Sequence, residues 1–272
     1  MILSTTSSAL APGSGLALVA VTLALYLVAA LPFAALRRFS APALVGGWLL
    51  HGLLLVIDIA GVGLDEPGAR LGFAPVLSMT VWLVIAVYEV ESRLVPLPAV
   101  RQWLAAFGFA MVLVTAMFPG EMRPIASRLA PLHFALGVGA YALFGAAVLH
   151  AVLLDSAERR LRTGGPRGQA LGMPLLQLER VTFRFVEAGF VVLTATLVLG
   201  VATTVHWRWG DHKAVFSVMA WAVFAALLVG RHFRGWRGRQ ATRWLYVGAV
   251  LLLLAYVGSR FVFEVLLGRA PS

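Results

Sequence analysis

The stretch PLHFALGVGAYALFGAAVLHAVLL, from Pro131 to Leu154, contains no Asp, Glu, Lys or Arg. A helix rises about 1.5 Å per residue and the hydrocarbon layer of a membrane is about 30 Å thick, so about 20 apolar residues cross it. This run is long enough. Similar runs occur on both sides of it, at about 16–36, 42–60, 73–92, 98–117, 183–204, 213–231 and 241–267. Pro42, Pro67, Pro75, Pro96, Pro98, Pro119, Pro124 and Pro131 punctuate them, because proline breaks helices or starts them. The pattern predicts an all-α, polytopic membrane protein of about eight transmembrane helices, with residues 1–272 as a single integral membrane domain.

Composition points the same way. Of the residues, 60% are hydrophobic and 12% charged, against about 25% charged in a soluble domain. Apolar surface left in water is unfavourable by about 25 cal/mol per Å², so lipid is the solvent that accommodates this chain. The first fifteen residues carry no basic segment, so the run at 16–36 reads as a spanning helix and not as a cleaved signal. A net charge of +10 raises nucleic acid as a partner. The arginines instead cluster in short loops between apolar runs, as in cytoplasmic loops of membrane proteins, which excludes nucleic acid. Cysteine is absent, and with it disulfides, thiolate metal sites and cysteine nucleophiles.

Lysine and arginine set the orientation. Arg37, Arg38, Arg93, Arg101, Arg159, Arg160, Arg162, Arg167, Arg180, Arg184, Arg231, Arg234, Arg237, Arg239 and Arg243 fall on one side. Arg70, Arg123, Arg128, Arg208, Lys213, Arg260 and Arg269 fall on the other. The richer side is predicted to face the cytoplasm of a bacterial inner (plasma) membrane, which places both termini on the outer, periplasmic side. Residues 155–182 are the longest polar stretch and read as a cytoplasmic loop, with room for a short surface helix at 174–182.

Without thiols, the six histidines carry the chemistry. His133 opens the fifth predicted helix, His206 follows the sixth and His212 precedes the seventh, so topology gathers all three in the outer layer. Two imidazoles make a six-coordinate haem site. Trp207 and Trp209 can wall a porphyrin, and Arg208 and Lys213 can pair with its carboxylates. The same residues also suit a plain interfacial belt, and His133, His206 and His212 can form a zinc site. His51 lies at mid-depth in the second helix, where an ionisable group is costly. Asp58 is seven residues further along much the same face. His51 therefore reads as a proton or cation path, a second haem ligand, or a neutral histidine bonded between helices. His150 reads as structural and His232 as solvated. Arg260 and Glu264, four residues apart, read as a pair that tunes packing and depth. No phosphate-binding loop, H-E-x-x-H or G-x-S-x-G occurs, which disfavours an ATP-driven pump or a membrane protease.

Trp207-Arg208-Trp209-Gly210-Asp211-His212-Lys213, then Trp221, then Gly235-Trp236-Arg237-Gly238, resembles the cytochrome c assembly family of CcsA- and CcmC-type haem-handling membrane proteins. Pro131-Leu132-His133, followed by Ala140-Tyr141-Ala142, is similar to that family's L-H and A-Y-A helix. Asp211 to Val215, Gly235 to Arg239 and Tyr256 to Arg260 look like elements of the YpjD-like inner-membrane branch. The resemblance covers about residues 40–268. It implies haem b as cofactor, with His133 and His206 as axial ligands and His51 matching a histidine within the membrane. It also implies apocytochrome c or another assembly subunit as partner. The tryptophan-rich outer domain of CcsA proteins is shortened here to Trp207 and Trp209, and no outer histidine follows Lys213. The expected role is therefore haem delivery or chaperoning, with no bond-making step by this chain alone. The alternatives are a HemX-like regulatory or scaffold protein or an accessory to an ion transporter, and a transporter with His51 and Asp58 on its own path.

Overall fold

The computed structural model describes residues 12–59, 69–93, 97–123, 129–163, 175–203 and 212–266. Its helices are α1 (Pro12–Ala30), α2 (Ser40–Ile59), α3 (Phe73–Glu91), α4 (Pro98–Met117), α5 (Ala130–Arg162), α6 (Leu175–Thr203), α7 (His212–Arg234) and α8 (Gly238–Leu253). Seven are long and apolar enough to cross a membrane, α8 together with its continuation to Phe261, while α1 offers a shorter apolar stretch, Gly15–Ala30. The chain divides into two compact units, residues 1–126 and 127–272.

Unit 1 holds α1 to α4. A buried polar chain ties its first three helices together. The Tyr26 hydroxyl of α1 lies 2.9 Å from Nδ1 of His51 in α2, and His51 Nε2 lies 2.7 Å from Ser78 Oγ in α3. Tyr26 fits because two facing helices carry glycine. A Cβ at Gly47 would lie 3.2 Å from its ring and one at Gly108 of α4 only 2.7 Å. Between α2 and α3, Trp48 and Trp82 stack with centroids 5.0 Å apart. Each indole N–H donates to the other's backbone carbonyl, at 3.0 and 2.9 Å. In lipid no hydrophobic force drives helix against helix, so close packing and such hydrogen bonds carry the association.

Among the described residues, a short β-ribbon departs from the all-helical reading. Strands β1 (Ala69–Leu71) and β2 (Glu121–Arg123) pair antiparallel, Arg70 opposite Met122. Gly120, with φ of 78°, makes the turn into β2, where a Cβ would meet the Leu71 carbonyl oxygen at 2.8 Å. Only glycine takes both the left-handed backbone and that approach.

Unit 2 holds α5 to α8 around the stacked rings of Phe144 and Phe224, with centroids 3.8 Å apart. Gly189 of α6 and Gly248 of α8 make room for these rings. Both α5 and α6 run deeper into residues 155–182 than expected, and the surface helix expected at 174–182 is the beginning of α6. The polar residues there are engaged by α7 and α8. The Asp155 carboxylate accepts hydrogen bonds from Thr242 and Tyr246, each at 2.9 Å. Glu179 accepts from Arg231 at 2.8 Å, with Arg237 at 3.6 Å. Arg231 also lies over the Phe183 ring, 3.8 Å from its centroid.

The Gly235-Trp236-Arg237-Gly238 segment is the turn from α7 to α8. Gly235 and Gly238 have φ of 66° and 54°, and the Trp236 N–H returns to the Gly230 carbonyl at 3.2 Å. Beyond Leu253 the last helix continues through π-helical turns at Leu254–Gly258 and Val262–Leu266. Arg260 between them is buried, its guanidinium 5.5 Å from the Tyr256 ring. The Glu264 side chain lies outside what the structure describes.

Candidate functional site

His133 stands in the first turn of α5, its backbone N–H bonded to the Leu129 carbonyl at 3.0 Å. Pro131, the second residue of the helix, costs no hydrogen bond there, because the first N–H groups of a helix have no partner within it. Contacts between α5 and α6 follow an antiparallel order along the pair. His133 lies against Gly200, Gly137 against Thr196, Gly139 against Val192, Phe144 against Gly189 and His150 against Phe185. The first turn of α5 is thus packed on the last turns of α6.

At that contact a Cβ on Gly200 would lie 3.0 Å from His133 Cε1, 3.6 Å from Nδ1 and 4.0 Å from Nε2. The imidazole rests edge-on against bare backbone. Its Nδ1 is shut off from solvent and has no hydrogen-bond partner, while the side chain as a whole is half-buried. A structural histidine satisfies its ring nitrogens, whereas His133 leaves Nδ1 without a protein partner, so the ring is not committed to a structural hydrogen bond through that nitrogen. Against this observation, His133 fits the role of a haem ligand.

His206, Trp207, Arg208 and Trp209 lie outside the described residues. His206 follows Thr203, the last residue of α6, by three positions. His212 and Lys213 are the first two residues of α7, and Lys213 is half-buried. Among the described residues no group of three or more His, Asp or Glu is placed to hold a metal ion.

His51 is arranged differently. It is 1% exposed and hydroxyls engage both ring nitrogens. Whichever nitrogen carries the proton, the other accepts from Tyr26 or Ser78. Ligation of iron there would break one of these bonds. Asp58 is half-buried near the end of α2. His150 is buried, with Nδ1 2.8 Å from the Ala146 carbonyl oxygen, and His232 is exposed at the end of α7. The sequence reading did not single out Tyr26, Ser78 or Gly200. The first two are among the few polar residues amid apolar helices and are visible in that way. A glycine in an apolar helix carries no such signal.

The family model described as Cytochrome C assembly protein matches residues 12–267. The chain belongs to the cytochrome c assembly protein family. Membership gives it a role in cytochrome c biogenesis. It is 28% identical over 239 residues to the inner membrane protein YpjD of Escherichia coli, which spans 85% of this chain and 88% of that protein. Two cytochrome c biogenesis proteins named CcsA are similar over shorter stretches. That of a Synechococcus strain is 34% identical over 87 residues, 30% of this chain and 28% of its own. That of Gloeobacter violaceus is 32% identical over 92 residues, 32% and 27% respectively. No solved structure matches the chain. This member of the cytochrome c assembly family is a multi-pass inner-membrane protein.

Proposed function

We propose that this protein binds haem b at its periplasmic rim and holds it for delivery during cytochrome c assembly. His133 and His206 are the axial ligands, Trp207 and Trp209 the flat wall, and Arg208 and Lys213 the partners of the propionates. His212 is the alternative second ligand. The observation that carries this reading is the seat of His133 on Gly200. It brings the start of α5 to the end of α6, and His206 lies six residues beyond Gly200 in the chain. Bound haem would supply the group to be passed on. The chain's own residues would orient it and neutralise its carboxylates. Apocytochrome c, or another assembly subunit, is the proposed receiver.

The orientation belongs to the same proposal, with α1 as an eighth span and both termini periplasmic. It puts the Arg231–Glu179 and Asp155–Tyr246 ends of unit 2 at the cytoplasmic face, where arginine is favoured.

The visible spectrum of detergent-purified protein tests the haem reading. The wild type is expected to show a Soret band with low-spin, bis-imidazole character. His133→Ala and His206→Ala should each lose the low-spin features, with haem content reduced at least several-fold. A wild type that stays colourless after haemin is added, or a His133→Ala protein with an unchanged spectrum, would overturn it.

A further inference from the structure

We propose that His133 is a weakly held, readily exchanged axial ligand, and that Gly200 is the positioning residue that makes it so. The inference rests on the haem reading above and concerns how firmly that ligand binds. An imidazole that ligates a metal does so through one nitrogen and carries its proton on the other. That second nitrogen nearly always donates to a carboxylate, a carbonyl or water, which fixes the ring and makes it a stronger donor. Here Nδ1 is buried and cannot reach an iron, so Nε2 is the nitrogen left to ligate. The proton then falls on Nδ1, which faces bare helix backbone at Gly200 and has no acceptor. Losing such a partner typically weakens a metal site by about 10- to 100-fold. His133 lacks it from the start. A permanent cytochrome would be poorly served by this seat, whereas a protein that must surrender its haem gains from it.

Gly200 holds the key position because it is the residue under the ring. A side chain there begins 3.0 Å from Cε1 and 3.6 Å from Nδ1. Alanine would push the half-buried ring outward by a few tenths of an ångström. Serine would apply the same push and add a hydroxyl oxygen within bonding distance of the Nδ1 proton. The difference between the two variants isolates the hydrogen bond from the displacement.

Haemin is titrated into detergent-purified Gly200→Ala and Gly200→Ser proteins, and its release to apomyoglobin and its midpoint potential are recorded. Gly137→Ala serves as a control on the same helix pair, since its Cβ would meet Thr196 at an ordinary 3.8 Å. Gly200→Ser is expected to bind haemin about 10-fold more tightly than Gly200→Ala, to release it correspondingly more slowly, and to have a lower midpoint potential. If the two Gly200 variants agree in all three readouts while His133→Ala still abolishes the low-spin spectrum, the inference fails and the haem reading stands. If His133→Ala leaves the spectrum intact, the haem reading itself fails. A second measurement needs no Gly200 variant. In ferrous His206→Ala protein the iron–imidazole stretching band reports the Nδ1 bond, and a band strengthened as in a hydrogen-bonded imidazole overturns the proposal.

Discussion

His51 shows what a single residue costs and supplies in this fold. A polar group in hydrocarbon must be satisfied by protein, and Tyr26 and Ser78 satisfy both of its nitrogens. Tyr26→Phe keeps the ring between Gly47 and Gly108 but deprives Nδ1 of its hydroxyl. Leaving a buried polar group unpaired costs about 1–3 kcal/mol. Tyr26→Phe is expected to lower stability by about that amount in a denaturant titration in detergent, and an unchanged midpoint would mean the bond contributes nothing. The residue scale also shows the limit of reading a sequence. His133 and His51 stand out because ionisable groups are rare in apolar runs. That one has an orphaned nitrogen and the other has none depends on Gly200, Tyr26 and Ser78, which are distant in sequence.

At the scale of the element, apolar runs and prolines mark most helix ends to within a few residues. They fail where polar residues are matched by another helix. Residues 155–162 and 175–182 look like loop, yet Asp155 and Glu179 find Thr242, Tyr246, Arg231 and Arg237 across the unit. The β1–β2 ribbon is invisible for a related reason, since three-residue strands show no alternation and their partners are separated by α3 and α4. Glycines in these helices act as contact surfaces, and they differ in what they tolerate. A Cβ at Gly108 would lie 2.7 Å from the pinned Tyr26 ring, whereas one at Gly46 would meet the flexible Leu25 side chain at 3.4 Å. Overpacking typically costs about 1–3 kcal/mol. Gly108→Ala should therefore lower the thermal midpoint of purified protein, and Gly46→Ala should leave it within a degree or so.

At the scale of the whole molecule, the membrane class follows from composition, and orientation rests on arginine placement alone. The chain has no cysteine, so any introduced thiol is the only one present. Leu129→Cys, just before α5, is expected to react with a membrane-impermeant maleimide added to spheroplasts. Thr163→Cys and Arg234→Cys should react only after lysis. The reverse pattern would invert the topology and move His133 to the cytoplasmic face.

The π-helical turn at Leu254–Gly258 sets which way the end of the chain looks. Ala241, Leu245, Gly248, Leu252 and Ala255 keep to steps of three and four and are buried, and the next buried side chain, Arg260, comes five residues on. Each residue advances a helix by about 100°. The wider turn therefore slips the wheel by one position and carries the arginine inward. Regular winding would instead have turned it well off the buried face of the helix. One surplus residue thus decides whether a permanent positive charge is clothed by its own unit or left outside it.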